Sequence, residues 1–314
     1  MPYDIIDKLV IGVASSALFD LKDSDRVFRE EGEQSYRAFQ REHEQDILPR
    51  GVAFPFMRRL LGLNNSFPDL HPIEVILFSR NDPDTGQRVF NSIKSYGLDI
   101  TRGVFLSGSA PYTYLNAFQT ALFLSANRED VIGAIECGCA AGMVLSSSVF
   151  EADEDQSELR VAFDFDGVIA DDSAEVVYQK DMSLDAFQKS ESEKALNPHN
   201  PGPLGEFFVK LSQLQQLERR RKDADPLYRK QIRTAIITAR NAPAHQRVVT
   251  TLRAWNVMAD ETFFMGGIEK KRVLDIFRPH IFFDDQLTHL EPSAQFIPSV
   301  HIPFGQINRT VEET

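Results

Sequence analysis

Short unbroken hydrophobic runs alternate along this chain with longer stretches whose apolar positions recur every three or four residues, most clearly in the second half. RVAFDFD (160–166) reads as a buried strand, and SAEVVYQKDMSLDAFQKSES (173–192) has helical periodicity that NPHNPGP breaks. LGEFFVKLSQLQQLERRRK (204–222) reads as an amphipathic helix, TAIITARN (234–241) as a strand with a polar tip, and AHQRVVTTLRAWN (244–256) as a helix. ETFFMGG (261–267) is a strand ending in glycines, KKRVLDIF (270–277) a helix, and HIFFDD (280–285) a strand ending in two aspartates. Strands that alternate with helices predict a doubly wound α/β fold with a parallel sheet, its ligands placed where strand carboxyl ends meet loops.

The same order runs through the first half. VIGVASSALFD parallels VAFDFDGVIAD, RAFQREHE parallels DAFQKSES, FPFMRRLL parallels GEFFVKLS, and VILFSRND parallels AIITARNA. From Val89 and Val248 onward the two halves align without a gap to Ala126 and Asp285. This predicts two tandem units, 1–150 and 151–314, with a small helical cap inserted at about 172 to 200. Aligned by letters, Val13 and Ser15 stand where the second half has Asp164 and Asp166, Pro111 faces Lys270, and Ser125 with Ala126 face Asp284 with Asp285. The first unit is therefore degenerate: it has lost the acids.

Charge and composition narrow the class. A formal net charge of -12 makes an acidic protein whose field repels nucleic acid and anionic membranes, so an anionic ligand needs a local cationic site. With 42% hydrophobic residues the chain has ample core material. LVIGVASSALF (9–19) follows a segment with two acids and one lysine, so it is read as a core strand and not a signal sequence. GAIECGCAAGMVL, with Glu136 inside it, is too short and polar for a membrane span. Cys137 and Cys139, placed on a helix by this reading, are packing residues, and their count fits a reducing cytoplasm.

The chemistry concentrates at four places. On an extended strand Asp164 and Asp166 project together, while Phe163 and Phe165 turn toward the core and Gly167 permits a close approach. Asp284 and Asp285 add negative charge at a second strand end, and such crowding is costly unless a cation intervenes. A hard divalent ion, magnesium, with a phosphate monoester resolves it, and Lys270 and the Thr238 hydroxyl offset the substrate's charge. Asp171 and Asp172 are read as helix-capping acids, His280 and His289 as matching no motif, and Arg240 as either a phosphate contact or an exposed structural arginine. Arg80, Asn81, Ser107, Gly108 and Ser109 lie at strand ends of the first unit, either as turn formers or as contacts for base, ribose or a nucleotide effector.

FDFDGV, IITAR, GGIEKK and IFFDD, in that order, resemble the four motifs of the haloacid dehalogenase superfamily. Over nearly the whole chain VASSALF, EHEQDILPRGVAFPF, LRVAFDFDGV, ITAR and RPHIFFDDQ are similar to the cytosolic type I 5'-nucleotidase family. That resemblance implies a cytoplasmic, magnesium-dependent hydrolase of nucleoside 5'-monophosphates, often a homo-oligomer. It implies Asp164 as the nucleophile that becomes an aspartyl-phosphate and Asp166 as general acid and then base. Thr238, Ala239, Arg240 and Lys270 become the substrate-binding set, and Asp164, Asp166, Asp284 and Asp285 the metal site. Lys270 is chosen over Lys271 by alignment. The eukaryotic pattern has glycine where Phe165 stands and alanine where Gly167 stands, so the nucleotide preference can differ. A sugar-phosphate phosphatase and a non-catalytic nucleotide sensor are the alternatives.

Overall fold

A computed structural model describes residues 3–146, 158–174 and 184–309. The chain divides into two compact units, one within Met1–Cys139 and the other within Ala140–Val149 and Asp153–Thr314. In the first, β1 (Leu9–Ala14), α1 (Ser15–Leu18), α2 (Lys22–Glu42) and α3 (Phe54–Ser66) precede β2 (Ile73–Ser79) and α4 (Gln87–Ser95). Then follow β3 (Arg102–Phe105), α5 (Tyr112–Leu115), β4 (Leu122–Ser125) and α6 (Arg128–Glu136). The strands are parallel, in the order β3-β2-β1-β4. Cys137 follows the end of α6 and Cys139 lies beyond it, correcting their expected helical placement: Gly138, at φ +76°, turns the chain out of the helix.

The second unit opens with β5 (Ala141–Val144) and β6 (Leu159–Phe163), continues through α7 (Leu184–Glu193) and α8 (Gly205–Ala224), and returns as β7 (Ile232–Thr238). After α9 (His245–Ala254) come β8 (Glu261–Phe264), α10 (Lys271–Phe277), β9 (Ile281–Asp284), α11 (Leu287–Ala294), β10 (Ser299–His301) and α12 (Gln306–Arg309). Its parallel order is β10-β9-β6-β7-β8, with β5 antiparallel against β10. This unit thus takes a strand from residues that the sequence pattern assigns to the first half. Part of the expected cap, 175–183, lies outside the described residues.

Period-two alternation sends strand residues to opposite faces of the second sheet. Ala162, Ala235, Ile237 and Phe282 pack with Leu274 and Phe277 of α10 and Leu290 of α11. On the other face Phe163 stacks on Phe283 at 5.2 Å and meets Phe208 of α8 at 5.3 Å. Helices therefore cover both faces, as a doubly wound sheet requires.

The ladders give the two units one register. Leu9 pairs with Ile73 as Leu159 does with Ile232, Ile11 with Leu122 as Val161 with Ile281, and Ile76 with Arg102 as Ala235 with Glu261. All three pairings agree only if Ala14 corresponds to Asp164, Ser16 to Asp166, Ser79 to Thr238 and Asn81 to Arg240. The letter alignment at Val13, Ser15 and Arg80 is thus one residue out, because a shared Arg-Asn pair outweighed the hydrogen-bond pattern. The counterparts Pro111, Ser125 and Ala126 stand.

Candidate active site

Strand β6 lies between β7 and β9, so the connections leaving it diverge and open a crevice at its carboxyl end, where this fold places ligands. Asp164 follows the last residue of β6, and Asp284 ends β9 beside it. Lys270, at the N-terminus of α10, reaches between them: its Nζ lies 2.7 Å from Asp164 Oδ2 and 2.7 Å from Asp284 Oδ2. All three are buried. Asp164 Oδ1 also accepts the Phe165 N–H at 2.7 Å, which fixes its rotamer. Lys271 instead points out to Asp275 on its own helix. Thr238, buried at the end of β7, accepts the Arg240 N–H at 3.2 Å and keeps its hydroxyl proton for another oxygen, while Ala239 is exposed at the mouth.

The cluster is over-supplied with negative charge. Burial alone would raise Asp284, yet Lys270 and then His289 hold it below the ordinary carboxylate range. Burial, opposed by Lys270 and reinforced by Asp284, holds Asp164 above that range. Asp285 is pushed up to about 9 by burial and by the carboxylates of Asp164 and Asp284. Its Oδ1 is buried without a hydrogen-bond partner. Its Oδ2 lies where a Cβ on Gly167 would come within 2.4 Å, so the glycine, at φ +70°, makes room for it. An orphaned carboxylate oxygen beside two further acids is a donor set that suits a hard divalent cation.

Among the described residues, Asp164, Asp284 and His289 bring ligand atoms within 4.8 Å of one another. His289 Nδ1 is 3.2 Å from Asp284 Oδ1. Sequence reasoning passed over this histidine because a lone His on α11 matches no ligand spacing. Asp166, grouped with Asp164 by the strand period, lies just past the end of β6 at Phe163, and both its oxygens face Arg240.

Arg240 is neither exposed nor open to a ligand on all sides. It is 3% exposed, and its Nε and Nη2 donate to the two Asp166 oxygens at 2.7 and 2.6 Å. Nη1 bonds Glu191 of α7, and Nη2 lies 3.0 Å from His199 Nε2. A guanidinium can only donate, so His199 Nε2 accepts and its Nδ1 proton faces Asp171 Oδ1, 3.4 Å away. Arg247 Nη1 donates to the other Glu191 oxygen at 2.8 Å. Burial would lower Arg240, but Asp166 and Glu191 carry it above the ordinary guanidinium value. Burial would raise Glu191, but the charge of Arg240 and its hydrogen bond carry it down to about 2. Asp171 and Asp172, expected as caps of a helix that continues into residues outside the described ones, have these partners: Asp171 accepts from Ser173 and Asn200, and Asp172 from the Gln306 N–H.

At the corresponding place in the first unit, a cavity of about 590 Å³ is lined by Ala14, Ser16, Asn81, Pro111 and Ala126, among others. Arg80 lines it too, but donates to Asp130 at 3.2 and 2.5 Å and to the Gly108 carbonyl at 3.1 Å. Asn81 accepts from Tyr36 at 2.8 Å, and Ser107, Gly108 and Ser109 are exposed beyond β3.

The profile of a 5'-nucleotidase family matches residues 1–309. Human cytosolic 5'-nucleotidase 1B is 35% identical over a 308-position alignment that covers 93% of this chain and 48% of the human protein. The chain therefore spans about half the length of that curated relative. No solved structure matches it. Among the described residues, no helix is long and apolar enough to cross a membrane.

Proposed function

The chain belongs to the 5'-nucleotidase family, and from that premise we propose that it hydrolyses nucleoside 5'-monophosphates to nucleoside and phosphate through an aspartyl-phosphate. The observation that carries the reading is the convergence of Asp164 and Asp284 on the Lys270 ammonium at the sheet's crevice, 2.7 Å each. The Asp164 carboxylate attacks phosphorus, a new O–P bond forms, and the bond to the ribose oxygen breaks. Asp166 gives that oxygen its proton. It then takes a proton from the water that attacks the acyl phosphate, which frees Asp164 and inorganic phosphate. Lys270 holds Asp164 and neutralises the phosphoryl oxygens, and Thr238 donates to one of them.

Magnesium would be held by Asp164, Asp284 and Asp285, and when bound it offsets the charge that otherwise opposes a carboxylate approaching a dianion. The Asp166 carboxylate, both of whose oxygens face Arg240, stays outside this ligand set. His289 orients Asp284. The shared strand order and register support reading the two units as tandem haloacid dehalogenase-like copies, the first degenerate, with α7 as part of a cap. A cytosolic location, like that in the human relative's name, a nucleotide effector in the first unit and a homo-oligomer belong to the same proposal.

The test is phosphate release from a panel of nucleoside monophosphates and sugar phosphates, with magnesium and with chelator, for wild type and Asp164→Asn. Metal-dependent release from nucleotides, lost by at least about 10⁴-fold in Asp164→Asn, is expected. Turnover confined to sugar phosphates would replace the substrate class, and no turnover would leave a binding protein.

A further inference from the structure

We propose that Arg240 is a positioning residue that carries the seating of α7 to the Asp166 carboxylate, with Glu191 as the contact that transmits it. The inference rests on the reading of Asp166 as acid and base given above. One edge of the guanidinium, Nε and Nη2, grips both Asp166 oxygens at 2.7 and 2.6 Å, while Nη1 bonds Glu191. A fork of this kind fixes the plane of a carboxylate as well as its place, which a point charge cannot do. The guanidinium lies 5.5 Å from the centre of each of two rings, Phe165 from between the two aspartates and Phe187 from α7.

The anchorage on α7 is itself pinned. Glu191 is held by Arg247 at 2.8 Å, and Arg247 Nε also donates to the Asn197 carbonyl at 2.9 Å. His199 stands 3.0 Å from Arg240, and its backbone N–H donates to Thr251 of α9 at 3.0 Å. Gln188, one residue past Phe187, donates to the Asn241 side chain at 3.3 Å, directly after Arg240 in sequence. Phe187, Gln188 and Glu191 thus place one face of α7 against the loop that bears Arg240. A structural arginine would need Glu191 and His199, but it would have no cause to spend its better fork on both oxygens of the acid and base. When α7 is seated, Asp166 has one orientation. When Glu191 is lost, the fork loses its far anchor and the carboxylate its fixed plane.

The experiment uses the full chain with magnesium and labelled nucleoside monophosphate, reading kcat, KM and the acid-trapped phosphoenzyme for wild type, Asp164→Asn, Asp166→Asn, Arg240→Lys and Glu191→Gln. Arg240→Lys keeps the charge and loses the fork, and a misplaced proton-transfer group costs on the order of 10²-fold in rate, so kcat should fall by about that much with KM within about threefold. Trapped phosphoenzyme should rise in the direction of Asp166→Asn, because the water-activating step suffers. Glu191→Gln should move kcat and trapped phosphoenzyme the same way by about tenfold, and the double variant should fall short of the product of the two effects. If Arg240→Lys does not fold, Glu191→Gln decides alone. A Glu191→Gln protein with kcat and trapped phosphoenzyme within about twofold of wild type overturns the inference. Turnover by Asp164→Asn would instead overturn the proposed function.

Discussion

Replacing Lys270 by methionine, which keeps the length of the stem and removes the charge, tests the electrostatic account of the site. The ammonium lies 2.7 Å from one oxygen of Asp164 and 2.7 Å from one of Asp284. At an effective dielectric of about 20, each contact is a gross attraction of about 6 kcal/mol. Desolvation of the ammonium cancels much of that, and truncating one partner of a buried pair leaves a net loss of about 3–5 kcal/mol. Burial would lower Lys270, but Asp164 and Asp284 raise it above the ordinary lysine value. Its stabilisation is therefore fully present below the unfolded lysine pKa of about 10.4 and is lost only as pH rises through the still higher folded value.

At neutral pH in chelator, urea unfolding of Lys270→Met should show that loss of about 3–5 kcal/mol in full. About 10 mM magnesium should restore most of it, since a ligand at about 160 times its Kd stabilises the folded state by about 3 kcal/mol. On the proposed mechanism phosphate release should stay abolished, because the cation does not replace the amine that holds Asp164. Loss below about 1 kcal/mol in chelator, or an equal loss with and without magnesium, would refute the reasoning.

Two further predictions concern residues outside the reacting set. Arg80→Ala, which strands the buried Asp130, should lower unfolding free energy by about 1–3 kcal/mol and leave the nucleotide preference unchanged; an undisturbed melting temperature would contradict it. Glu191, lowered to about 2, stabilises the fold above the unfolded carboxylate pKa of about 4.3, and that contribution is lost as pH falls toward the folded value. Acid titration followed by circular dichroism should therefore show a loss of stability between those values in wild type that Glu191→Gln lacks; parallel curves would count against it.

The sequence disclosed what is local and left unread what is assembled across the chain. Strands such as β6 and β9 could be read from unbroken apolar runs, Asp164 and Asp284 from acids at the ends of those runs, and Lys270 only from the alignment of GGIEKK. The network around Arg240 could not. Glu191 sits in a polar helical stretch, His199 in a proline-rich break and Arg247 on an amphipathic helix, and each has the look of a solvated residue until the chain folds. A buried ion network has no period, so no pattern along the sequence announces it. Cys137 and Cys139 were drawn into a helix by their apolar neighbours, and the glycine between them decided otherwise.

The common register of the two units has a practical consequence for anyone wishing to install the second unit's acidic cluster in the first. Carboxylates transplanted by matching letters would go to Val13 and Ser15, and a charge at Val13, which has no solvent exposure, would be driven into hydrophobic packing and unfold the host. The productive addresses are Ala14 and Ser16, with further acids at Ser125 and Ala126 and an amine at Pro111.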